Sequence, residues 1–203
     1  MGFISNGTTI LDNGAFSVGL GGLVLISEQT ASASATIEFT SGIDSTYLIY
    51  KFEYINCHPS NTPVPFTVNF STDGGSNYNV TKTSSGFQAY HRENGTSPFL
   101  GYATSLETTQ STGEQMIAGG SVVNDSDSGV SGNMFLFNPS STTFIKPYMT
   151  VANSFDSSSP PYTEEQFSGG YCNTTSAVNG VRFKFGSGNI DSGTIKLYGI
   201  KDS

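Results

Sequence analysis

The sequence predicts an all-β fold, an antiparallel two-sheet sandwich of jelly-roll type, and three observations carry that prediction. No stretch of helical length keeps an apolar stripe at the helical period, whereas short runs alternating apolar and polar residues recur from end to end. Clusters of Gly, Asn, Asp, Ser and Pro separate those runs, and these are the residues that turns require. At 203 residues the chain can bury one sizeable core and has a common size for a single sandwich domain.

Taken in order, the first 30 residues stand apart. Gly14, Gly19, Gly21 and Gly22 weaken any strand there, so residues 1–30 read either as an anchor arm that orders on a neighbouring subunit or as a first edge strand. On the arm reading, Phe16, Val18, Leu20, Leu23 and Leu25 are the candidate docking residues. Residues 31–203 form the sandwich body.

Within the body, residues 36–39 alternate, and residues 47–57 place Leu48, Tyr50, Phe52 and Tyr54 on one face with Lys51 and Glu53 on the other, as in a central strand. Residues 65–70 bury Phe66, Val68 and Phe70 and lead into Asp73-Gly74-Gly75, whose glycines supply positive φ for a hairpin-like reversal. Further strands are expected over residues 86–91, 99–106, 132–138, 143–151 and 167–174. Met134-Phe135-Leu136-Phe137 is apolar on both phases, which predicts a strand covered on each side. Residues 154–165, with Pro160-Pro161, read as an exposed loop. Residues 181–185 and 194–198 alternate most cleanly and are expected to pair across the turn at 186–189.

Composition narrows the function. Charged residues are only 12% of the chain and the net charge is -8, with no Lys or Arg before Lys51. No basic patch exists to neutralise phosphates, which argues against nucleic acid as a partner. The apolar run over residues 15–26 is Gly-interrupted and too short to span a bilayer, and the N-terminus lacks the charged start of a signal peptide, so no membrane partner and folding in a cytosol are expected. Cys57 and Cys172 are expected to be buried free thiols.

Catalytic parts are few. His58 and His91 are the only histidines, and no zinc or serine-triad signature is present, so no catalytic residue, metal or cofactor is assigned. His58, before Pro59, reads as a turn residue, and residues 124–129 read as a polar turn rather than a calcium loop. Two acids about 5–9 Å apart would suffice for glycan hydrolysis, and Glu164, Glu165, Asp73, Asp125, Asp127 and Asp156 are available for it. Tyr78, Tyr90, Tyr162 and Tyr171 lie near turns or strand ends, where a ring beside Asn or Asp can stack on a sugar or simply fill space. The possible glycan contact is the set Tyr78, Tyr90, His91 and Tyr162.

Several stretches resemble a family of small structural proteins of tailed, chiefly marine-bacterial, bacteriophages, together with some tail-fibre C-terminal regions. They are residues 39–47, Phe-Thr-Ser-Gly-Ile-Asp-Ser-Thr-Tyr, and residues 70–78, Phe-Ser-Thr-Asp-Gly-Gly-Ser-Asn-Tyr. Residues 180–185, Gly-Val-Arg-Phe-Lys-Phe, and residues 188–200 from Gly188-Asn189-Ile190 to Tyr198-Gly199-Ile200 complete the likeness. The start, Met1-Gly2-Phe3-Ile4-Ser5, is similar too and suggests a complete short gene product. The resemblance implies a non-enzymatic protein made in the bacterial host cytoplasm and displayed on the virion surface, as a capsid decoration or a short fibre or knob. It further implies a homo-oligomer, a trimer by preference, held to other virion proteins of capsid or tail through the N-terminal segment. A receptor-binding tip recognising a host-surface glycan is the alternative, and a capsular polysaccharide depolymerase the second.

Overall fold

Chain direction reverses after almost every patterned run, and from residue 23 onward the strands so formed sort into two antiparallel sheets packed face to face. The structure, a computed structural model, describes residues 22–201 and, before them, the backbone of three short strands. These are β1 (Phe3–Ser5), β2 (Thr8–Asp12) and β3 (Ala15–Phe16), which pair in order as a small antiparallel sheet. The docking candidate Phe16 thus falls in β3, while Val18 and Leu20 lie outside the described residues. Next comes β4 (Leu23–Thr30), which holds Leu23 and Leu25. The body continues with β5 (Ile37–Phe39), β6 (Ile49–Pro59), β7 (Val64–Ser71), β8 (Lys82–Arg92) and β9 (Phe99–Tyr102). A 3-10 turn over Thr104–Leu106 leads to β10 (Thr108–Ser111), β11 (Gln115–Val122), β12 (Val130–Phe137) and β13 (Lys146–Asp156). The last three are β14 (Tyr162–Cys172), β15 (Gly180–Phe185) and β16 (Ile190–Ile200).

Among the described residues the large sheet has nine strands, in the order β10-β8-β14-β13-β12-β6-β16-β4, with β9 sharing the β8 edge with β10. The small sheet runs β11-β7-β15-β5. The chain passes repeatedly from one sheet to the other, as a jelly roll does, and the predicted two-sheet antiparallel sandwich is the observed architecture. β6 lies inside the large sheet between β12 and β16, and its alternation buries Tyr50, Phe52 and Tyr54. Phe52 and Tyr54 meet Phe66 and Phe183 of the small sheet, with centroids 5.5 Å apart for Phe52 and Phe183 and 5.6 Å for Tyr54 and Phe66, and Phe185 packs on Phe66. Each such side chain contributes roughly 1.5–3 kcal/mol through burial. Leu48, expected on the same face, lies before the strand and is 52% exposed.

Several expectations need correction. β15 and β16 do not pair: β15 lies between β7 and β5, and β16 between β6 and β4, because residues 186–189 carry the chain across the sandwich. Alternation fixes which side of a strand is buried, not which neighbour it bonds. The Asp73-Gly74-Gly75 turn has the positive φ expected, 70° at Gly74 and 89° at Gly75, yet it too leads to the opposite sheet rather than closing a hairpin. Residues 154–165 are not a loop, since β13 runs to Asp156 and β14 starts at Tyr162, leaving five residues of connection. The strand expected over 99–106 stops at Tyr102, where the 3-10 turn takes over.

An unpredicted strand, β11, explains the other half of the interior. It covers the inner side of β13 and β14, where the residues are polar. Gly119 permits this closeness, because a Cβ there would lie 2.5 Å from a carboxylate oxygen of Glu164. The buried Gln115 amide donates to the Leu106 and Met116 carbonyls at 2.8 and 2.7 Å and accepts from Ser84 at 2.6 Å. Two lysines are fully buried. Lys82 donates to the Asn69 side-chain oxygen at 2.8 Å, and burial pushes its pKa down to about 8. Lys146 donates to the carbonyls of Phe144 and Thr174 at 2.8 and 3.0 Å. Buried polar groups satisfied in this way hold the layer in one arrangement.

Candidate functional site

Hydrogen-bonded neighbours line up in rows across the outer face of the large sheet, and two adjacent rows build the site. One row runs Tyr102, Phe87, Phe167, Val151 and Asn133 across β9, β8, β14, β13 and β12. The next runs Ser85, Gly169, Met149 and Phe135 from β8 to β12 and reaches Lys51 on β6. Large side chains fill the first row, whereas Ser85 and Gly169 leave a gap at one end of the second. The result is a hollow of about 390 Å³ bordered by Phe87, Phe167, Tyr102 and Met149, within the size range of ligand sites. Phe87 and Phe167 stack with centroids 4.8 Å apart. Lys51, 5.9 Å from the centre of the Phe135 ring and paired with Glu53 at 2.6 Å, marks where charge replaces apolar surface.

Strand polarity is inverted here. On β14 the inward residues are Glu164, Gln166 and Ser168, all buried, while Phe167 points outward; on β8 the buried Lys82 and Ser84 face in while Phe87 faces out and is 46% exposed. β12 behaves similarly, with Met134 and Leu136 in the core and Phe135 and Phe137 half-buried on the outer face. The expectation that 134–137 is covered on both sides is therefore corrected: the chain itself covers one side only. With Leu100 73%, Tyr102 60% and Met149 59% exposed, this is a contiguous apolar surface rather than scattered residues.

The residues proposed from sequence as a glycan contact do not converge. Tyr90 and Tyr162 do meet, with ring centroids 5.2 Å apart, and Phe99 stacks on Tyr90 at 5.0 Å. Arg92 packs over Tyr162 and donates to the Pro160 carbonyl at 2.9 Å, so the group is cross-linked within itself. His91 alternates to the opposite side of β8, and Tyr78 belongs to the small sheet's side of the molecule, its ring 4.3 Å beneath the Arg182 guanidinium. Leu23 and Leu25 are 46% and 51% exposed on the edge strand β4. The sequence reading missed Phe87, Phe135, Met149 and Phe167; the one signal pointing to them was the double-phase apolar run at 134–137.

Of the candidate acids, Glu164 and Asp156 are neighbours, and both are buried. Glu164 and Glu165, adjacent on β14, face opposite sides, so they cannot act together on one bond. Glu164 is buried, and burial followed by the nearby Asp156 charge raises its pKa. Asp73 sits in an exposed turn, where hydrogen bonds from Asn77 and Ser71 hold its carboxyl down to about 2. Among the described residues no group of three His, Cys, Asp or Glu side chains could hold a metal ion, and no helix is long and apolar enough to cross a membrane. No model of a known family, no curated protein and no solved structure matches this chain.

Proposed function

We propose that the protein is a non-enzymatic structural protein of a tailed-bacteriophage particle, displayed on the particle surface and assembled from copies of itself through the outer face of its large sheet. The inverted polarity of β8 and β14 carries this reading: polar side chains occupy the interior while Phe87 and Phe167 are turned outward. Such a face gains about 25 cal/mol for each Å² removed from water, and only when something covers it.

A second copy is the occupant that fits. The ridge of Phe87, Phe167 and Tyr102 lies beside the hollow over Gly169 and Ser85, so two rotated copies can exchange knob for hole. With each buried aromatic worth roughly 150–250 Å², the exposed parts of this patch present on the order of 500 Å². That is at the upper end of what single proteins leave open and more than half of the ~800 Å² each partner contributes to a stable interface. The placement on a phage particle rests on the sequence resemblance; the reciprocal contact of this face favours a two-fold pair over the trimer that the resemblance implies, and copy number distinguishes the two.

Light scattering on the purified protein at about 10 µM, a concentration that reveals micromolar self-association, should give a multiple of the 21.4 kDa chain mass. Met149→Lys combined with Phe87→Glu should return it to one chain. A wild-type monomer would remove the assembly part, and an antibody that reached the protein only after particles were opened would remove the surface placement.

A further inference from the structure

A second hollow, about 440 Å³, lies farther along the same face and has the opposite lining. Along β13 the outward side chains change from Met149 and Val151 to Asn153 and Phe155. At this end β6 loses register with both neighbours, through shifts between Val130 and Gly132 on β12 and around Ser192 on β16. The irregularity places Asn56 at φ 49° and requires Gly193, at φ 117°, where a Cβ would lie 2.6 Å from the Asn56 carbonyl oxygen. Strand bulges of this kind re-aim side chains and are over-represented beside binding sites.

The loop between β11 and β12 folds across the bulge. The Asp125 carbonyl lies 3.1 Å from His58 Nε2, and the Asn124 amide donates to the Ser60 carbonyl at 3.3 Å. This brings Ser126, Asp127 and Ser128 to the hollow. Ser128 is 8% exposed, and its hydroxyl has no hydrogen-bond partner among the described residues. A buried hydroxyl left so is costly until something bonds to it. Around it stand Asn56, Asn153 and Ser131, the carboxylate of Asp127 and the ring of Phe155.

The lining selects the ligand class. No Lys or Arg borders the hollow and its one imidazole, His58, already faces the Asp125 carbonyl, which disfavours phosphates and other anions; a single carboxylate disfavours a divalent cation. Amides and hydroxyls that both donate and accept, one carboxylate acceptor and one apolar ring match a neutral polyhydroxyl molecule. We propose that this hollow binds a neutral saccharide, one sugar ring lying on Phe155 with its hydroxyls on Asp127, Asn153 and Ser128. The site is separate from the tyrosine cluster of Tyr90 and Tyr162, and it does not depend on self-association.

Saturation-transfer NMR with methyl glycosides of neutral hexoses, 6-deoxyhexoses and N-acetylhexosamines at about 10 mM, well above a millimolar Kd, tests this. At least one glycoside should bind, and Asp127→Asn and Asn153→Ala should each weaken it about tenfold, the scale of one hydrogen bond to a charged or fixed group. Both positions are exposed, and circular dichroism and light scattering should show fold and copy number unchanged. Tyr90→Ala should leave binding intact, as should EDTA. Failure of every glycoside to bind, binding unaffected by both hollow variants, or loss of binding with EDTA would each overturn the assignment.

Discussion

Glu164 shows how much a single buried carboxyl reports about the polar half of the interior. It is 6% exposed beneath Gly119, and burial with the Asp156 charge favours its protonated form. In the unfolded chain the same group ionises near the ordinary value of 4.5. The folded state therefore holds the proton to higher pH, and stability is lost as pH rises from that value through the raised folded pKa. Glu164→Gln keeps the shape and removes the charge. The variant should be more stable than wild type at pH 7 and indistinguishable from it at about pH 3, below the usual range of Glu ionisation. Urea unfolding at the two pH values measures both. A less stable variant at pH 7 would mean that the ionised carboxylate is held by favourable partners.

At the scale of the strand, β4 decides what the N-terminal segment does for the body. Among the described residues its ladder runs along β16, the Gln29 side chain donates to the Glu38 carbonyl of β5 and Ile26 packs against the core, so its removal would leave β16 as a bare edge. Deleting residues 1–21 should leave the melting curve and β-type circular dichroism nearly unchanged. Deleting residues 1–30 should cost roughly 2 kcal/mol or more, the scale of losing a buried aliphatic side chain; equal melting of the two truncations would show β4 to be dispensable. Strands such as β6 were legible because Tyr50, Phe52 and Tyr54 recur with period two, but β11 was not, because Gly119-Gly120 interrupts any alternation. Sheet membership was illegible for a different reason. Phe183 and Leu197 each announce a buried side, and nothing local says that one bonds beside Val68 and the other beside Phe52. The site failed the same way: its hollow exists because Gly169 pairs with both Met149 and Ser85, a register that only the folded sheet defines.

For the molecule as a whole, self-association and stability should be linked. A folded chain with an open apolar face gains stability from every partner it finds, so the unfolding midpoint should rise with protein concentration and the rise should vanish in Met149→Lys with Phe87→Glu. Calorimetry over a tenfold concentration range tests this, and a midpoint independent of concentration would count against the interface. The β8 edge contributes little to such assembly, because it is shared between the short strands β9 and β10 with a 3-10 turn between them, which offers no long template for another strand. Cys57 and Cys172 add a last property. Both are buried and free, and burial pushes each thiol up to about 12. The molecule consequently needs no oxidant to mature and presents almost no thiolate to one, so it can leave a reducing cell for an oxidising medium without any change in its covalent bonds.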